Sequence, residues 1–276
     1  MIRIGLFFSK ILDKEVFSLV KSYKELAIVY PSNIRETEEI SVLENRRAIS
    51  LCDAVYLAGN KWNSEEFRKI LREEVHIYCE TIPLLSIEEA KRNYEMESEA
   101  GCVVQFFHPY VFLADNINEY KKLKFPFFID GQLNIDIKDN IEQHILYFLL
   151  FVLSIDNSLF SKSEVFSLEN SKNFSVINIS LYFLSGSLFR LNLSPLSPLY
   201  SNISVYQRNN KRLSFSFFEN NKDKNIKSKR ISFENFIKAI SGKSSLNISF
   251  KHIYQATKIL YDIKEKLRFH GSLLLK

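Results

Sequence analysis

Glycine is scarce in this sequence, at only 7 of 276 residues. Loops that wrap the phosphate groups of a nucleotide need glycine wherever the backbone approaches the ligand closely. Few positions of this chain can therefore serve in such a loop. The scarcity argues against a glycine-rich phosphate-binding loop anywhere in the sequence.

Cysteine is also sparse, and its spacing matches no known binding motif. Cys52, Cys79 and Cys102 form no CxxC pair, and no histidine cluster accompanies them. This pattern argues against a disulfide framework and against a zinc site, so we expect no metal. Free cysteines are usually buried and inert, and we expect these three to be small buried side chains.

Long apolar runs are missing too. The longest run, Ile145–Leu153, is about half of what a membrane crossing requires. The N-terminal run Ile4–Phe8 is too short for a signal peptide, and lysines follow it directly. We therefore expect a cytoplasmic protein with no membrane partner.

Strong charge of one sign is absent, since the net charge is only +5. Part of that charge is concentrated in Asn220–Arg230, a segment rich in lysine and asparagine. Surfaces that bind single-stranded nucleic acids interleave cations with aromatic rings, and no aromatic residue stands among these lysines. We interpret the segment as a solvated hairpin or strand-to-helix loop, and we expect no nucleic-acid partner.

The first 112 residues alternate short apolar runs with polar stretches of helical periodicity. The apolar runs predicted as buried strands are Ile2–Phe8, Leu26–Tyr30, Ala54–Leu57, Val75–Cys79 and Cys102–Phe107. The predicted helices between them are Asp13–Tyr23, Ile34–Leu51, Ser64–Arg72 and Ile87–Ala100. This alternation is typical of right-handed crossover units around a parallel sheet. Residues 1–112 are therefore predicted to form a Rossmann-like α/β domain.

Capping residues mark the ends of two of these helices. Asn63 or Ser64, and then Ser86, stand directly before pairs of acidic residues, as expected at helix N-termini. Gly101 stands where the last helix should end.

From residue 113 the pattern changes to consecutive strands that follow a helix through His144 to Leu153. The predicted strands are Ser163–Leu168, Asn173–Phe183, Leu188–Leu193, Asn202–Gln207 and Lys211–Phe218. Two predicted helices, Ser232–Ser241 and Phe250–Leu267, follow them. Strands without intervening helices indicate an antiparallel sheet. Residues 113–276 are therefore predicted to form an α+β domain with an open, mainly antiparallel sheet and a closing C-terminal helix.

The order of these elements resembles the glucose-fructose oxidoreductase and inositol dehydrogenase family (Gfo/Idh/MocA). Residues 52–71 (CDAVYLAGNKWNSEEFRKIL) are similar to the family's third strand and following helix. Residues 76–110, which begin HIYCETIPLLSIEEAKRN, are similar to its most recognisable stretch, where a strand ends in cysteine and glutamate before a serine-capped helix. Residues 167–194 resemble its sheet, and residues 233–266 resemble its closing helix pair.

The resemblance implies a G-x-G-x-x-G turn after the first strand and an acidic residue for the ribose after the second. The three glycine positions hold Phe8, Lys10 and Asp13, and the acidic position is replaced by Tyr30–Ser32. A phenylalanine ring prevents close approach of the backbone to a phosphate, and Asp13 adds a like charge. We therefore expect no NAD(P) cofactor, and we interpret Phe8 as filling the vacated groove.

The resemblance also implies a catalytic lysine in the loop after a later strand, and an aspartate four residues before a histidine in the second domain. These positions hold Thr81, Asn140 and His144. Threonine cannot act as a cationic acid near neutral pH, and Asn140 carries an amide in place of a carboxylate. His144 is either a semi-buried structural histidine or a retained residue of the ligand cleft.

The resemblance also makes Asn60, Trp62 and Glu80 candidates for remnants of the cofactor side of that cleft. Glu80 either orders the corner at the strand end or contacts a ligand. Trp62, near Asn60, either stacks on a ligand or covers the start of the following helix.

These substitutions together predict a Gfo/Idh/MocA-like pseudo-oxidoreductase that acts as a binding or partner subunit, with or without a small-molecule ligand in the old cleft. The alternatives are an active, divergent NAD(P)-dependent oxidoreductase on a sugar-like or other small hydroxy or carbonyl substrate, or another enzyme that uses the cleft. The resemblance also implies association through the open sheet face, as a homo-oligomer or with a partner protein. We expect Ile177–Phe183 and Leu188–Leu193 to expose large apolar side chains on that face.

Overall fold

A computed structural model describes most of the chain. The described residues are 2–8, 14–23, 26–29, 49–59, 62–108, 111, 125–134, 140–168, 176–194, 201–207, 212–217, 222–243 and 248–269. The strands are β1 (Ile2–Phe8), β2 (Leu26–Val29), β3 (Ala54–Ala58), β4 (His76–Cys79), β5 (Val104–Phe106), β6 (Phe127–Asn134), β7 (Phe160–Ser167), β8 (Ile177–Phe183), β9 (Leu188–Ser194), β10 (Ser201–Gln207) and β11 (Arg212–Phe217). The helices are α1 (Lys14–Lys21), α2 (Ser64–Arg72), α3 (Ile87–Ala100), α4 (Ile141–Ile155), α5 (Lys222–Ile240) and α6 (Phe250–Phe269).

The chain divides into two compact units. The first contains Met1–Ala114 and Asp223–Tyr254, and the second contains Asp115–Lys222 and Gln255–Lys276. This division differs from the predicted domains 1–112 and 113–276, because Asp223–Tyr254 returns to the first unit. The physical reason is that aromatic side chains of α5 pack against the tyrosines of β3 and β4.

The first unit contains a parallel sheet in the order β2-β1-β3-β4-β5, which confirms the predicted Rossmann-like fold. All residues of β3 and β5 are buried. Parallel sheets carry such continuously buried strands because helices cover both faces. The predicted helix over residues 34–51 lies mostly outside the described residues.

The predicted helix caps of the first unit are confirmed. The Asn63 side chain accepts hydrogen bonds from the first turn of α2, and Glu66 completes a capping box. Ser86 and Glu89 form the same arrangement at α3. Gly101 ends α3 at φ +63°, a left-handed conformation that favours glycine.

The prediction of a solvated loop over Asn220–Arg230 was wrong. From Lys222 onward this segment is the first half of α5, so the helix starts well before the predicted Ser232. Lysine has a good helix propensity, and Arg230 pairs with Glu234 one turn further along. Burial of Phe233 in the first unit stabilises the helix further, and a sequence pattern does not show that contact.

The second unit contains a six-stranded sheet in the order β11-β10-β6-β9-β8-β7. The β6–β9 pair is parallel and the other pairs are antiparallel, which confirms an open, mainly antiparallel sheet. On β6, Gly131 provides space for the Phe148 ring of α4, since a Cβ at this position would lie 2.7 Å from that ring. No helix among the described residues is long and apolar enough to cross a bilayer.

Burial along this sheet alternates with period two. The residues of β8 that are buried are Ile177, Ile179, Leu181 and Phe183. The side chains on the opposite face are Asn178, Ser180 and Tyr182 from β8 and Leu188, Arg190, Asn192 and Ser194 from β9. The expectation that these two strands expose large apolar side chains on this face holds only for Tyr182 and Leu188, which are half-buried, because their other aliphatic and aromatic residues occupy the buried positions.

Candidate functional site

In open doubly wound sheets, ligands bind outside the carboxyl ends of the strands, where the strand order reverses. In the order of the first unit this reversal lies between β1 and β3. The described turns at this edge follow β3 at Gly59 and β4 at Glu80. We call the group formed by Tyr56, Gly59, Glu80, Thr81 and Lys229 the Glu80 corner.

The carboxylate of Glu80 is held by donors from three parts of the first unit. Its Oε1 accepts hydrogen bonds from the Tyr56 hydroxyl at 2.8 Å and from Lys229 Nζ at 3.0 Å. Its Oε2 lies 3.5 Å from the backbone nitrogen of Gly59. The Glu80 side chain is only 10% exposed, against 27% for Lys229. Glu80 thus orders the corner, in agreement with the structural interpretation of this residue.

Buried aromatic rings pack against one another next to the Glu80 corner. The rings of Tyr56, Tyr78 and Phe233 lie with their centroids 4.9 to 5.3 Å apart. Burial raises the pKa of Tyr56 and Tyr78 well above that of a free tyrosine, and nearby Glu80 adds to the effect at both. Tyr56 therefore keeps its proton at neutral pH and remains a hydrogen-bond donor to Glu80.

Thr81 faces back into the turn that follows β3. Its hydroxyl donates to the carbonyl oxygen of Gly59 at 3.0 Å, and the Cys79 thiol donates to the Thr81 carbonyl at 3.2 Å. Gly59 has a φ of +90°, which disfavours any side chain at this position. The turns after β3 and β4 are therefore joined by hydrogen bonds within the protein.

The three cysteines are free and buried, as predicted. Burial raises the pKa of the Cys79 thiol to about 12 and that of Cys52 and Cys102 to about 11. A thiol that stays protonated is a poor nucleophile. The described residues also contain no group of three side chains suited to a metal ion.

Trp62 is buried beside the same edge of the sheet. Its indole nitrogen donates to the carbonyl oxygen of Ala58 at 3.2 Å, directly before the cap of α2. This contact agrees with the interpretation of Trp62 as a cover over the helix start. Asn60, its predicted companion, lies outside the described residues.

The predicted nucleotide-binding positions are only partly described. The backbone of Phe8 ends β1 and pairs with Ala58, but its side chain lies outside the described residues. Lys10 and Asp13 also lie outside them. The filling of the groove by Phe8 therefore stays a prediction.

In the second unit, Asn140 and His144 lie one turn apart at the start of α4. The Asn140 side chain accepts a hydrogen bond from the backbone nitrogen of Gln143 at 3.3 Å, so this residue is the N-cap of the helix. The His144 backbone nitrogen donates to the Asn140 carbonyl oxygen, and its side chain is half-buried. Capping accounts for an asparagine at position 140 without a ligand.

Sequence reasoning missed Tyr56 and Lys229. Lys229 contacts Glu80 from 149 residues away, within the segment that was interpreted as a loop. One signal was present: Lys229 precedes Phe233 by one helical turn, so extending the predicted helix backward places both on one face.

No protein-family model matches the chain, and no curated protein matches it in sequence. Solved structures do match. A probable dehydrogenase from Thermotoga maritima superimposes with a TM-score of 0.74 at 13% identity and 97% coverage of each chain. Myo-inositol dehydrogenase from Lactobacillus casei, solved with NAD(H) and myo-inositol, superimposes with a TM-score of 0.72 at 12% identity. The match covers 97% of this chain and 95% of that one.

The dehydrogenase MviM from Clostridium difficile gives a TM-score of 0.71 at 11% identity, covering 96% of this chain and 99% of that one. This chain has the fold of the Gfo/Idh/MocA dehydrogenases. The resemblance seen in the sequence is thereby confirmed as a likeness of fold. At such identities the fold is shared, whereas the chemistry has to be argued from the site.

Proposed function

We propose that this chain is a Gfo/Idh/MocA-like pseudo-oxidoreductase that acts as a binding or partner subunit without nicotinamide chemistry. The observation that carries the proposal is the contact of Thr81. At the position where the resemblance implies a catalytic lysine, a neutral hydroxyl donates a hydrogen bond to the carbonyl oxygen of Gly59. A general acid or base needs a pKa near the working pH, and a threonine hydroxyl has none.

The start of α4 supports the same proposal. Where the resemblance implies a carboxylate, Asn140 presents an amide whose oxygen accepts the Gln143 backbone N–H. This oxygen is used to satisfy the helix terminus, so it is a poor candidate for proton transfer.

A titration with NADH and with NADPH tests the loss of cofactor binding. We expect neither fluorescence enhancement nor thermal stabilisation, because Phe8, Lys10 and Asp13 replace the glycines of the phosphate turn. Myo-inositol dehydrogenase from Lactobacillus casei serves as the positive control, since it was solved with NAD(H). A dissociation constant in the low micromolar range for either nucleotide would establish the alternative, an active and divergent oxidoreductase.

We also propose that two copies of the chain associate through the outer face of the six-stranded sheet. Asp130 and Arg190 stand side by side in register on β6 and β9, and the Arg190 guanidinium lies 5.6 Å from the centre of the Phe128 ring. Adjacent opposite charges are self-complementary under a two-fold axis, which is the usual symmetry of a homodimer.

Light scattering tests this association. We expect a mass above that of the 32.4 kDa monomer for the unmodified chain and a monomer for Arg190→Glu. Lys238→Glu, a charge reversal on α5 of the other unit, is the matched control and should leave the mass unchanged. A monomeric unmodified chain at micromolar concentration rules out the proposed dimer.

A further inference from the structure

The ion pair between Glu80 and Lys229 differs in burial from the other ion pairs in which the structure describes both residues. Its carboxylate is 10% exposed, whereas the acidic partners of the other pairs are 23% to 63% exposed. It joins residues 149 positions apart, as the Glu142–Lys264 pair joins residues 122 apart, but it lies at the edge of the sheet where ligands bind in this class of fold. Exposed pairs contribute little to stability, but a shielded carboxylate depends strongly on its partner.

Contacts other than the one to Lys229 hold the Glu80 carboxylate in place. The backbone nitrogen of Glu80 donates to the Leu57 carbonyl oxygen at 3.0 Å, which fixes the residue against β3. The Tyr56 hydroxyl and the Gly59 backbone nitrogen then orient the two carboxylate oxygens. Without the lysine, the carboxylate would still be held in place by these contacts. A preorganised carboxylate of this kind is a receptor for a small, strongly hydrogen-bonding cation.

The lysine side is held by the helix that carries it. The carbonyl oxygen of Lys229 lies 3.5 Å from the Tyr78 hydroxyl, and Phe233, one turn later, packs on the Tyr56 and Tyr78 rings. The ammonium group therefore reaches Glu80 from a helix that is seated on the same aromatic cluster. A lysine head group is a compact cation with three donors, and it uses one of them on Glu80.

We propose that the Glu80 corner is a binding site for a primary ammonium group, and that the chain fills this site with its own Lys229. The proposal rests on the proposed function in one respect, namely that no nicotinamide cofactor occupies the corner. It specifies the ligand chemistry of the corner: an outside amine competes with Lys229, whereas a phosphate or carboxylate cannot take the place of the lysine beside the like-charged Glu80. Displacement of Lys229 would remove one of the contacts that hold α5 on the sheet.

Chemical rescue tests the proposal. Lys229→Ala removes three carbons and the ammonium group, which n-propylammonium chloride can replace. We expect Lys229→Ala to lower the melting temperature more than Lys238→Ala, a matched change at an exposed position of α5. We then expect n-propylammonium chloride to restore part of the loss, beyond the effect of potassium chloride at the same concentration. The double variant Glu80→Gln, Lys229→Ala should show no such recovery.

Three results would overturn the ammonium site. They are equal losses for Lys229→Ala and Lys238→Ala, equal effects of the two salts, and equal recovery in the double variant. Lys229→Met, which keeps the apolar stem, provides a second measurement that does not need the amine. Adding Glu80→Gln to Lys229→Met should then raise the melting temperature, because an unpaired shielded charge is removed, and a further loss would contradict the proposal. NADH titration of the unmodified chain tests the proposed function separately, since nucleotide binding there would leave amine rescue in Lys229→Ala intact.

Discussion

The parallel sheet and the six-stranded sheet of this protein carry their polar side chains in different places. In the parallel sheet, β3 and β5 are buried throughout, and the polar group that collects hydrogen bonds is Glu80, just beyond the end of β4. In the six-stranded sheet, a row of hydrogen-bonded polar side chains crosses the outer face and contains Asn178, Asn192 and Asp130. A sheet covered on both faces can present chemistry only at its edge, whereas a sheet covered on one face presents a broad surface.

The largest expected effect is in the aromatic cluster under the Glu80 corner. Phe233 is fully buried among Tyr23, Tyr56 and Tyr78, so Phe233→Ala should destabilise the protein by about 3 to 5 kcal/mol. Phe166→Ala, on β7 of the other sheet, is the matched control. The Phe166 ring is 59% exposed, so this change should lower the free energy of unfolding by less than about 0.5 kcal/mol. Urea denaturation measures both. Similar losses would mean that the two sheets do not differ in burial as described.

The next effect is a pH dependence in the first unit. Glu97 of α3 is buried, and its Oε2 accepts the backbone N–H of Phe250 at the start of α6 at 3.1 Å. Burial raises the pKa of Glu97 from 4.5 to about 8, against the opposing effect of backbone donors. The folded state therefore holds this proton more tightly than the unfolded state, so stability falls as the pH rises from about 4.5 to 8, by up to about 1.4 kcal/mol per pH unit.

Urea denaturation at several pH values checks this sign. The Glu97→Gln variant should not show this fall in stability with rising pH. Between about pH 4.5 and 8 the unmodified chain should therefore become steadily less stable relative to the variant. Glu164 on the outer sheet face is the contrasting control, because its hydrogen bond from Lys162 lowers its pKa. Its contribution is present at neutral pH and is lost as the pH falls below the ordinary glutamate range, the opposite trend. Parallel pH curves for the unmodified chain and Glu97→Gln would contradict the prediction.

A smaller difference is expected between two helix caps. Asn63 accepts from two backbone nitrogens and belongs to a capping box, whereas Asn140 accepts from one at 3.3 Å. Asn63→Ala should therefore cost about 1 to 2 kcal/mol, and Asn140→Ala about 0.5 to 1 kcal/mol. Thermal unfolding of both variants measures the difference. A loss at Asn140 above that at Asn63 would show that Asn140 does more than cap α4.

The smallest expected effect is on the outer face of the six-stranded sheet. Asn192 accepts from Asn178 and donates to Asp130, all at half-buried positions. Cross-strand pairs of this kind contribute roughly 0.2 to 1 kcal/mol, so Asn192→Ala should fall in that range. Chemical denaturation in the Arg190→Glu background, which we expect to be monomeric, separates this loss from any effect on association. A loss above about 2 kcal/mol there would mean that the face is part of a buried core.

Local signals were sufficient for much of the first unit. The predicted bounds Ser64–Arg72 and Ile87–Ala100 coincide with α2 and α3, because both helices begin at side chains that satisfy their own first-turn nitrogens. The strands were found to within a few residues because their apolar runs are bounded by polar ones. The start of α5 was not found, since its stability comes from Phe233 packing on distant tyrosines.

The candidate site likewise combines features that the sequence predicts with features that only the tertiary structure determines. The sequence alone specified the strand that ends just before Glu80, the threonine that follows Glu80, and the missing glycines after β1. Hydrogen-bonding geometry and chain topology specified the rest: Tyr56 reaches Glu80 because β3 and β4 are neighbours, and Lys229 reaches it because α5 returns to the first unit. Periodicity and capping act over a few residues, whereas an ion pair across 149 residues exists only once the chain has folded.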